Sequence, residues 1–592
     1  MAWYDEAIFY HIYPLGMTGA PKQNSYEEPI HRINSLIPWI SHIREIGCNA
    51  IYIGPLFESV GHGYETTDYK KLDSRLGTNE DLTNFVAECH KQDIRVILDG
   101  VFNHTGRDFF AFRDIRINRE NSRYKDWYCN VNFCGNNSYN DGFSYENWGG
   151  YDLLAKLNQH NPEVKEYICD VIRFWVNEYD IDGIRLDAAD VMEFEYMKAL
   201  RNVANEVKKD FWLMGEVIHG NYSRWVNEGT LHSVTNYMLH KALYSGHNDH
   251  NYFEVAHTIK YVDDMVGNNF RLYSFVDNHD VERIYTKLNN KAHFVPVHIM
   301  LYTLPGIPAI YYGSEFGIEG RKEQFSDDSL RPALNYEDYK NSVNTNPYTK
   351  LIATLGKIRK NTSALVYGDF KELILQNTYY AYSRTIDGQS VVIAVNNADE
   401  DISMRLPVSN ETEYTGALSG EKVSVNDGCI NVKVAANSGE IWIPTKLNHE
   451  DIGSIDSVET RKMPELKETV EPPKSTESVE PVETPEVVEP VEMPETEEAV
   501  ETPKPKEPLN TLKSKEPVEP PEPTESVEPV ETPEAERIVN ENTAYEDMSV
   551  EELQEVILEK MKRNGPVTEY MRGTVRENTH HGSLVTWAKS FG

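Results

Sequence analysis

Three acidic residues stand at the ends of predicted strands, where their carboxyl groups can act together on one substrate. Asp187 ends the segment GIRLD, Glu216 follows Gly215, and Asp280 ends the segment FVDNHD. Two carboxyl groups can cleave a glycosidic bond: one attacks or stabilises the anomeric carbon, while the other, with a raised pKa, protonates the departing oxygen. These residue types therefore point to glycosidic cleavage.

The elements that must position these acids alternate between apolar runs and amphipathic helices. The runs are rich in β-branched and aromatic residues, which is typical of strands buried on both faces. They lie at 7–14, 50–57, 95–102, 183–190, 211–218, 272–278 and 309–317, and a further strand is predicted at 233–239. Such alternation predicts the α/β class and a closed (β/α)8 TIM barrel, whose active site forms at the C-terminal ends of the strands.

Four segments carry a family resemblance. DGVFNH, GIRLD, GEVIH and FVDNHD resemble, in order and spacing, the signature regions of the α-amylase superfamily, glycoside hydrolase family 13. The segments at 63–82 and 304–317 fit the second and eighth strand regions of that family. The resemblance covers roughly residues 1–445. It implies a retaining α-glucan hydrolase that cleaves α-1,4 bonds in maltodextrins, cyclodextrins or starch. The resemblance does not decide whether α-1,6 bonds are cleaved as well.

The resemblance also implies a role for each matching residue. Asp187 matches the nucleophile, Glu216 the general acid/base, and Asp280 the third acid, which grips sugar hydroxyls. Arg185 lies on the same strand face as Asp187, and its charge is expected to lower the pKa of that carboxyl group. The remaining substrate-binding positions are the aromatic platform Tyr64 and the hydroxyl ligands His104 and His279.

Two further residues have roles that the sequence leaves open. Asn103 matches a position often found near a structural calcium ion in the family, whereas the chemistry itself implies no cofactor. Trp148 stands in the long third loop of the barrel. It is expected either to line a sugar subsite or to pack in the core of that loop.

The segment that follows Asp187 indicates which group within the family the chain resembles most. Asp190 and Val191 stand where endo-α-amylases tend to have Lys-His, which is closer to the neopullulanase, cyclomaltodextrinase and maltogenic amylase group. The segment LAKLN at 154–158 resembles the third-loop motif of the same group. Members normally have an N-terminal sandwich that helps form a dimer, but here the first predicted strand begins at residue 7. Neither that dimer nor a cyclodextrin preference is therefore implied.

Two other functions remain open from the sequence. A glucanotransferase uses the same carboxylates to move a glucosyl unit to another sugar, and the acids do not distinguish it from a hydrolase. A non-catalytic carbohydrate-binding protein on a degenerate barrel is expected to lack the nucleophile or the acid, yet both Asp187 and Glu216 are present.

The chain is predicted to contain several domains. The catalytic barrel spans 1–360, including a third-loop subdomain at 104–158, and an antiparallel β-sandwich spans 361–447. An acidic, proline-rich segment at 448–540, in which ESVEPVETPE occurs twice, is predicted to be a disordered linker. A small helical module at 541–592 follows, opening on the capping box of Ser549 and Glu552. This module is expected to mediate a protein interaction or self-association.

Composition excludes several partners. A net charge of −37 argues against nucleic acid, because phosphate binding needs clustered Lys and Arg. The N-terminus has no signal-peptide pattern, and no apolar run is long enough for a membrane helix, so a cytoplasmic protein that acts on α-glucan oligosaccharides is expected. Cys129 and Cys134 are close in sequence, but reduced thiols are expected rather than a clip or a metal site.

Overall fold

The computed structural model describes residues 2–267, 271–324, 326–409 and 412–445, together with 550, 553–554 and 556–558. The predicted linker at 448–540 lies outside the described residues, as do Ser549, Glu552 and most of the predicted module at 541–592. The described residues from 550 to 558 are helical, and Leu553 and Ile557 are buried. The boundaries of these C-terminal segments stay predictions.

Eight parallel strands form the predicted near-barrel. In chain order they are Phe9–Ile12, Ala50–Ile53, Arg95–Gly100, Gly183–Leu186, Trp212–Gly215, Ser233–Val234, Tyr273–Phe275 and Ile307–Tyr311, and they are called the first to eighth strands below. The hydrogen-bonded order runs from the sixth strand back to the first and then to the eighth and seventh. A parallel bridge between Thr235 and Tyr273 joins the sixth and seventh strands and closes the ring.

Large side chains fill the interior of the ring. Phe9, Trp212 and Tyr273 belong to one buried cluster there, and the rings of Phe9 and Trp212 stack at 5.1 Å. Trp3 and Tyr4 pack against the same cluster from the N-terminal side. Because apolar side chains pack this interior, it is a solid core, and the polar groups collect at the strand ends.

Helices surround the barrel and alternate with its strands. The longer ones are Asn79–Lys91, Pro162–Tyr179, Phe194–Val207, Tyr237–Asn248, Tyr252–Val266, Phe294–Thr303 and Pro347–Lys360. The shorter ones are Pro14–Met17, Trp39–Glu45, Ile284–Lys287, Tyr336–Tyr339, Ser342–Thr345 and Ser363–Tyr367. Asn161 caps the helix that starts at Pro162, as predicted, because its side chain accepts a hydrogen bond from the backbone N–H of Glu163.

All eight predicted strands extend past the C-terminal ends of the observed strands, and the sixth and eighth extend furthest. The sixth strand ends at Val234 rather than 239, because the Asn236 side chain accepts a hydrogen bond from the N–H of Leu239 and starts a helix at Tyr237. The eighth strand ends at Tyr311 rather than 317. Gly313 then adopts a positive φ of 89° and turns the chain into a short helix, Ser314–Phe316.

The third loop forms a small layer over the barrel, as predicted. Its three-stranded sheet consists of His104–Thr105, Asn147–Trp148 and Tyr151–Lys156, with the last strand in the middle. The helix Phe110–Asn118 packs beside it. Because this sheet begins at His104, the third loop is tied directly to the rim of the barrel.

The C-terminal region is an antiparallel sandwich, as predicted. Its six-stranded sheet has the order Asp369–Leu375, Tyr379–Ile386, Gln389–Asn396, Ser438–Pro444, Glu413–Gly416 and Lys422–Ser424. A second pair of strands, Ile402–Pro407 and Cys429–Val434, packs on it, and Leu406, Ile430 and Trp442 share one buried core.

Two buried arginines cap the helix Phe294–Thr303, and one of them, Arg384, joins the sandwich to the barrel. Arg359 Nη1 donates to the carbonyl of Tyr302 at 2.7 Å, and Arg384 Nη1 donates to the carbonyl of Thr303 at 2.8 Å. These carbonyls end the helix Phe294–Thr303, where the last C=O groups have no partner within the helix. The positive guanidinium groups therefore cap the negative end of that helix.

Among the described residues, no helix is long and apolar enough to cross a membrane. Cys129 and Cys134 are free thiols, as predicted.

Candidate active site

Arg185 binds three carboxylates at the C-terminal ends of the strands. It lies in the fourth strand, and its side chain is buried. Its Nη1 atom lies 3.0 Å from Asp187 Oδ1 and 2.8 Å from Asp99 Oδ1, while its Nη2 atom lies 2.9 Å from Glu216 Oε2. Asp187 and Glu216 are therefore close neighbours, because they bind the two amino groups of one guanidinium.

Asp187 differs from the expectation in its acidity. The charge of Arg185 alone lowers the pKa of a neighbouring carboxyl group. Burial outweighs that effect and, together with the negative charges of Glu216 and Asp99, raises the pKa of Asp187 well above its ordinary value. The cluster therefore favours the retention of one proton among its carboxyl groups.

Glu216 follows the fifth strand and is held at both carboxylate oxygens. The backbone N–H of Ala188 donates to Oε2 at 3.1 Å, and the hydroxyl of Tyr237 donates to Oε1 at 3.4 Å. Asn278 Nδ2 in turn donates to the Tyr237 hydroxyl. Residues that follow the fourth, sixth and seventh strands therefore all help to orient the Glu216 side chain.

Asp280 lies beyond the seventh strand between two basic side chains. His279 Nε2 lies 3.0 Å from Asp280 Oδ2, and Arg331 Nη2 lies 3.0 Å from Asp280 Oδ1. Burial alone would raise the pKa of Asp280, but His279 and Arg331 hold it well below the ordinary value. The low pKa keeps this carboxylate ionised. Because 34% of the side chain is exposed, the carboxylate is also open to a ligand.

Tyr64 connects the two sides of the cluster. Its hydroxyl donates to Asp99 Oδ2 at 3.2 Å and also contacts His279 Nε2, while its ring stacks on the His279 ring. His104 lies on the other side, with Nε2 3.2 Å from the Tyr64 carbonyl. Burial lowers the pKa of His104 to about 4, so this imidazole is neutral at pH 7.

Asn103 is the residue at which the resemblance implies calcium. Its buried Oδ1 accepts a hydrogen bond from Gln159 Nε2 at 3.1 Å, and Gln159 Oε1 accepts one from the backbone N–H of Glu193 at 2.8 Å. A calcium ion needs six to eight oxygen ligands. Because the Gln159 N–H group faces the Asn103 oxygen, these residues do not fit calcium there. No group of three or more His, Cys, Asp or Glu side chains in the described part of the chain is arranged to hold a metal.

The structure thus brings Asp187, Glu216 and Arg185 into direct contact, and it places Asp280, His279, Tyr64 and His104 around them. Asn103 lies one contact away from the cluster, behind His104.

Sequence reasoning missed three members of the site. Asp99 is the penultimate residue of the third strand, so its position at the rim was a usable signal. Tyr237 begins a helix that was predicted as part of a strand. Arg331 follows the eighth strand in the segment DDSLR, which carries no periodic or motif signal. Only the folded chain shows that it reaches Asp280.

Comparison with known proteins agrees with this geometry. The model of the family described as "Alpha amylase, catalytic domain" matches residues 24–436. The chain therefore belongs to the α-amylase family of glycoside hydrolases.

Three similar proteins indicate the group within this family to which the chain is similar. The cyclomaltodextrinase of Thermoanaerobacter pseudethanolicus is 30% identical over 67% of this chain and 71% of its own length. Neopullulanase 2 of Thermoactinomyces vulgaris is 30% identical over 74% of this chain and 78% of its own length. The native structure of the Nostoc punctiforme debranching enzyme is 25% identical, covers 74% of this chain and 98% of its own, and has a TM-score of 0.64. The predicted closeness to the neopullulanase and cyclomaltodextrinase group is confirmed.

Proposed function

We propose that the chain is a retaining α-glucan hydrolase that cleaves α-1,4 glucosidic bonds in maltodextrins, cyclodextrins or starch. The observation that carries the proposal is the contact of Asp187 and Glu216 with the two amino groups of one buried guanidinium, that of Arg185. Retaining enzymes need their two carboxyl groups close together, whereas inverting enzymes leave room for a water molecule between them.

In the first step, Asp187 attacks the anomeric carbon and forms a glycosyl ester while the glucosidic C–O bond breaks. Glu216 gives its proton to the departing oxygen. In the second step, Glu216 takes a proton from water, the water oxygen bonds to the anomeric carbon, and the ester breaks to release Asp187. Net retention follows from the two displacements.

The other side chains position the sugar. The ionised Asp280 accepts hydrogen bonds from sugar hydroxyls, and the ring of Tyr64 offers a flat apolar face. The neutral imidazole of His104 contacts the Tyr64 carbonyl through Nε2 and Asn103 Nδ2 through Nδ1, so a sugar hydroxyl that binds His104 displaces one of these contacts. Each step is carried by side chains of the chain, and the proposal includes no cofactor.

The names of the relatives support the substrate class. Those proteins are called cyclomaltodextrinase, neopullulanase and debranching enzyme, which together cover cyclic, linear and branched glucans. Cleavage of α-1,6 bonds therefore belongs to the proposal as a second specificity. A cytoplasmic location stays a prediction.

The test is the substitution Asp187→Asn. It removes the nucleophile but keeps the shape of the side chain, so release of reducing sugar from maltotriose is expected to fall by roughly four orders of magnitude. The matched control is Asp170→Asn on the outer helix Pro162–Tyr179, where the acid pairs with Arg173. It should retain full activity. Undiminished turnover in Asp187→Asn would refute the mechanism.

Analysis of the products tests retention of configuration and distinguishes hydrolysis from glucosyl transfer. Proton NMR of the first products should show the α-anomer, and an initial β-anomer would refute retention. Chromatography of the maltotriose digest distinguishes hydrolysis from transfer, because a transferase yields oligosaccharides longer than the substrate.

A further inference from the structure

The third loop ends in a hairpin with two aromatic residues at its tip. The strands Asn147–Trp148 and Tyr151–Lys156 are joined by Gly149 and Gly150, whose φ values are 64° and 81°. Two positive φ values define the tight two-residue turn that suits the twist of a hairpin. Trp148 and Tyr151 are consequently direct cross-strand neighbours.

The hairpin adjoins the rim of the active site. Its longer strand pairs with the short strand that begins at His104, with His104 opposite Lys156. The Trp148 ring lies 5.8 Å from the His104 ring, at an angle of 32°. The indole is therefore next to one of the proposed sugar-binding residues.

Both aromatic side chains face solvent. Trp148 is 38% exposed and Tyr151 is 65% exposed, whereas the other tryptophans in the described ranges are buried or half-buried. A large exposed aromatic group is informative, since such residues usually contribute to cores or binding surfaces.

The base of the hairpin is held in place. Asn147 Nδ2 donates to Asp152 Oδ1 at 2.7 Å, and the backbone N–H of Ser138 donates to Asp152 Oδ2 at 2.7 Å. The hydroxyl of Tyr145 donates to the Asp152 carbonyl. The exposed rings are thus presented from a fixed support, which lowers the entropy that binding must overcome.

We propose that Trp148 and Tyr151 form an aromatic subsite that binds one glucosyl residue of an α-glucan chain beside His104. The C–H groups on the face of a pyranose ring are complementary to the negative face of an aromatic ring, and the indole N–H can donate to a sugar hydroxyl. The inference rests on the proposed function and extends it: substrates long enough to reach the hairpin gain affinity, and short ones do not.

The experiment measures binding without cleavage. In the full chain carrying Asp187→Asn, titration calorimetry with maltoheptaose and with maltose is compared before and after Trp148→Ala. We expect maltoheptaose affinity to fall by roughly tenfold, which is the size of one aromatic contact, with a much smaller fall for maltose. Trp148→Phe should restore most of the loss, because it keeps a ring.

The matched control is Tyr261→Ala. Tyr261 is 51% exposed on the outer helix Tyr252–Val266, where its ring stacks on His257, so its removal should leave both affinities unchanged. An unchanged melting temperature in Trp148→Ala will show that the fold is intact. If the wild-type chain cleaves maltoheptaose while Trp148→Ala leaves the affinity of the inactive chain unaltered, this inference alone is overturned. A chain that neither binds nor cleaves α-glucans overturns both proposals.

Discussion

Acidification from pH 7.5 to 5.5 should destabilise this protein, because buried histidines are neutral in the fold, and four of them show the size of the effect. Burial lowers the pKa of His104, His240 and His298 to about 4 and that of His247 to about 3. His247 and His298 each use Nδ1 to hydrogen-bond a carbonyl one helical turn earlier, at 2.6 and 2.7 Å. Within the described part of the chain, none of the four has a carboxylate partner that would favour its protonated form.

The magnitude follows from linkage. A histidine with a pKa near 6.5 when unfolded and about 4 when folded stabilises the fold fully above pH 6.5, and this stabilisation is lost as the pH falls toward 4. At pH 5.5, each such group has lost about 1.4 kcal/mol. The four together lose about 5–6 kcal/mol, against a typical domain stability of about 5–15 kcal/mol. Carboxyl groups whose pKa the fold lowers do not contribute in this range, since they titrate near pH 4 or below in both states. Asp187, whose pKa the fold raises, binds a proton more tightly in the folded chain and offsets part of the loss.

Urea unfolding at pH 7.5, 6.5 and 5.5, followed by tryptophan fluorescence, measures this loss. His298→Gln should reduce the loss between pH 7.5 and 5.5 by about 1.4 kcal/mol, which is the contribution of one such group. His160→Gln, at a side chain that is 75% exposed, should leave it unchanged. A free energy of unfolding that changes by less than about 1 kcal/mol between pH 7.5 and 5.5 would refute the reasoning.

Two further predictions concern the active site and the third loop. Arg331→Ala removes a charged hydrogen-bond partner 3.0 Å from Asp280, so kcat/KM for maltotriose should fall by about tenfold at constant pH. Arg331→Lys should restore part of kcat/KM because it keeps the charge, and an unchanged kcat/KM in Arg331→Ala would show that His279 alone holds this carboxylate. Chelation with EDTA should leave the melting temperature unchanged. The Asn103 oxygen that would bind calcium accepts a hydrogen bond from Gln159 Nε2 instead. A fall that added calcium reverses would show that a cation holds this loop.

The barrel and its acids could be predicted because both are local properties of the sequence. Each barrel strand is a short run of β-branched and aromatic residues, buried on both faces. Asp187 and Glu216 directly follow two of these runs, and parallel strands bring their C-terminal ends to one rim. Strand order and rim position therefore follow from patterns a few residues long.

What could not be predicted depends on contacts that are distant in sequence. Arg331 reaches Asp280 from 51 residues away, and nothing in its own segment signals the contact. The raised pKa of Asp187 reflects burial among several carboxylates, which a single neighbouring arginine in the sequence does not reveal. The sixth strand is the exception, because its signal was local. Asn236 caps the helix that begins at Tyr237 by accepting from the N–H of Leu239, and the apolar run concealed this cap.

The contact of Arg384 with the barrel limits how this chain can be divided. Arg384 belongs to the sandwich, but the carbonyl that it binds belongs to a barrel helix. Removal of the sandwich would therefore take away one of the two guanidinium groups that cap that helix, leaving only Arg359, and would expose the apolar surface beneath it. The sandwich is consequently an integral part of the catalytic unit and is unsuited to exchange as a module. An engineered minimal enzyme would have to extend through Pro444, the last residue of the final strand.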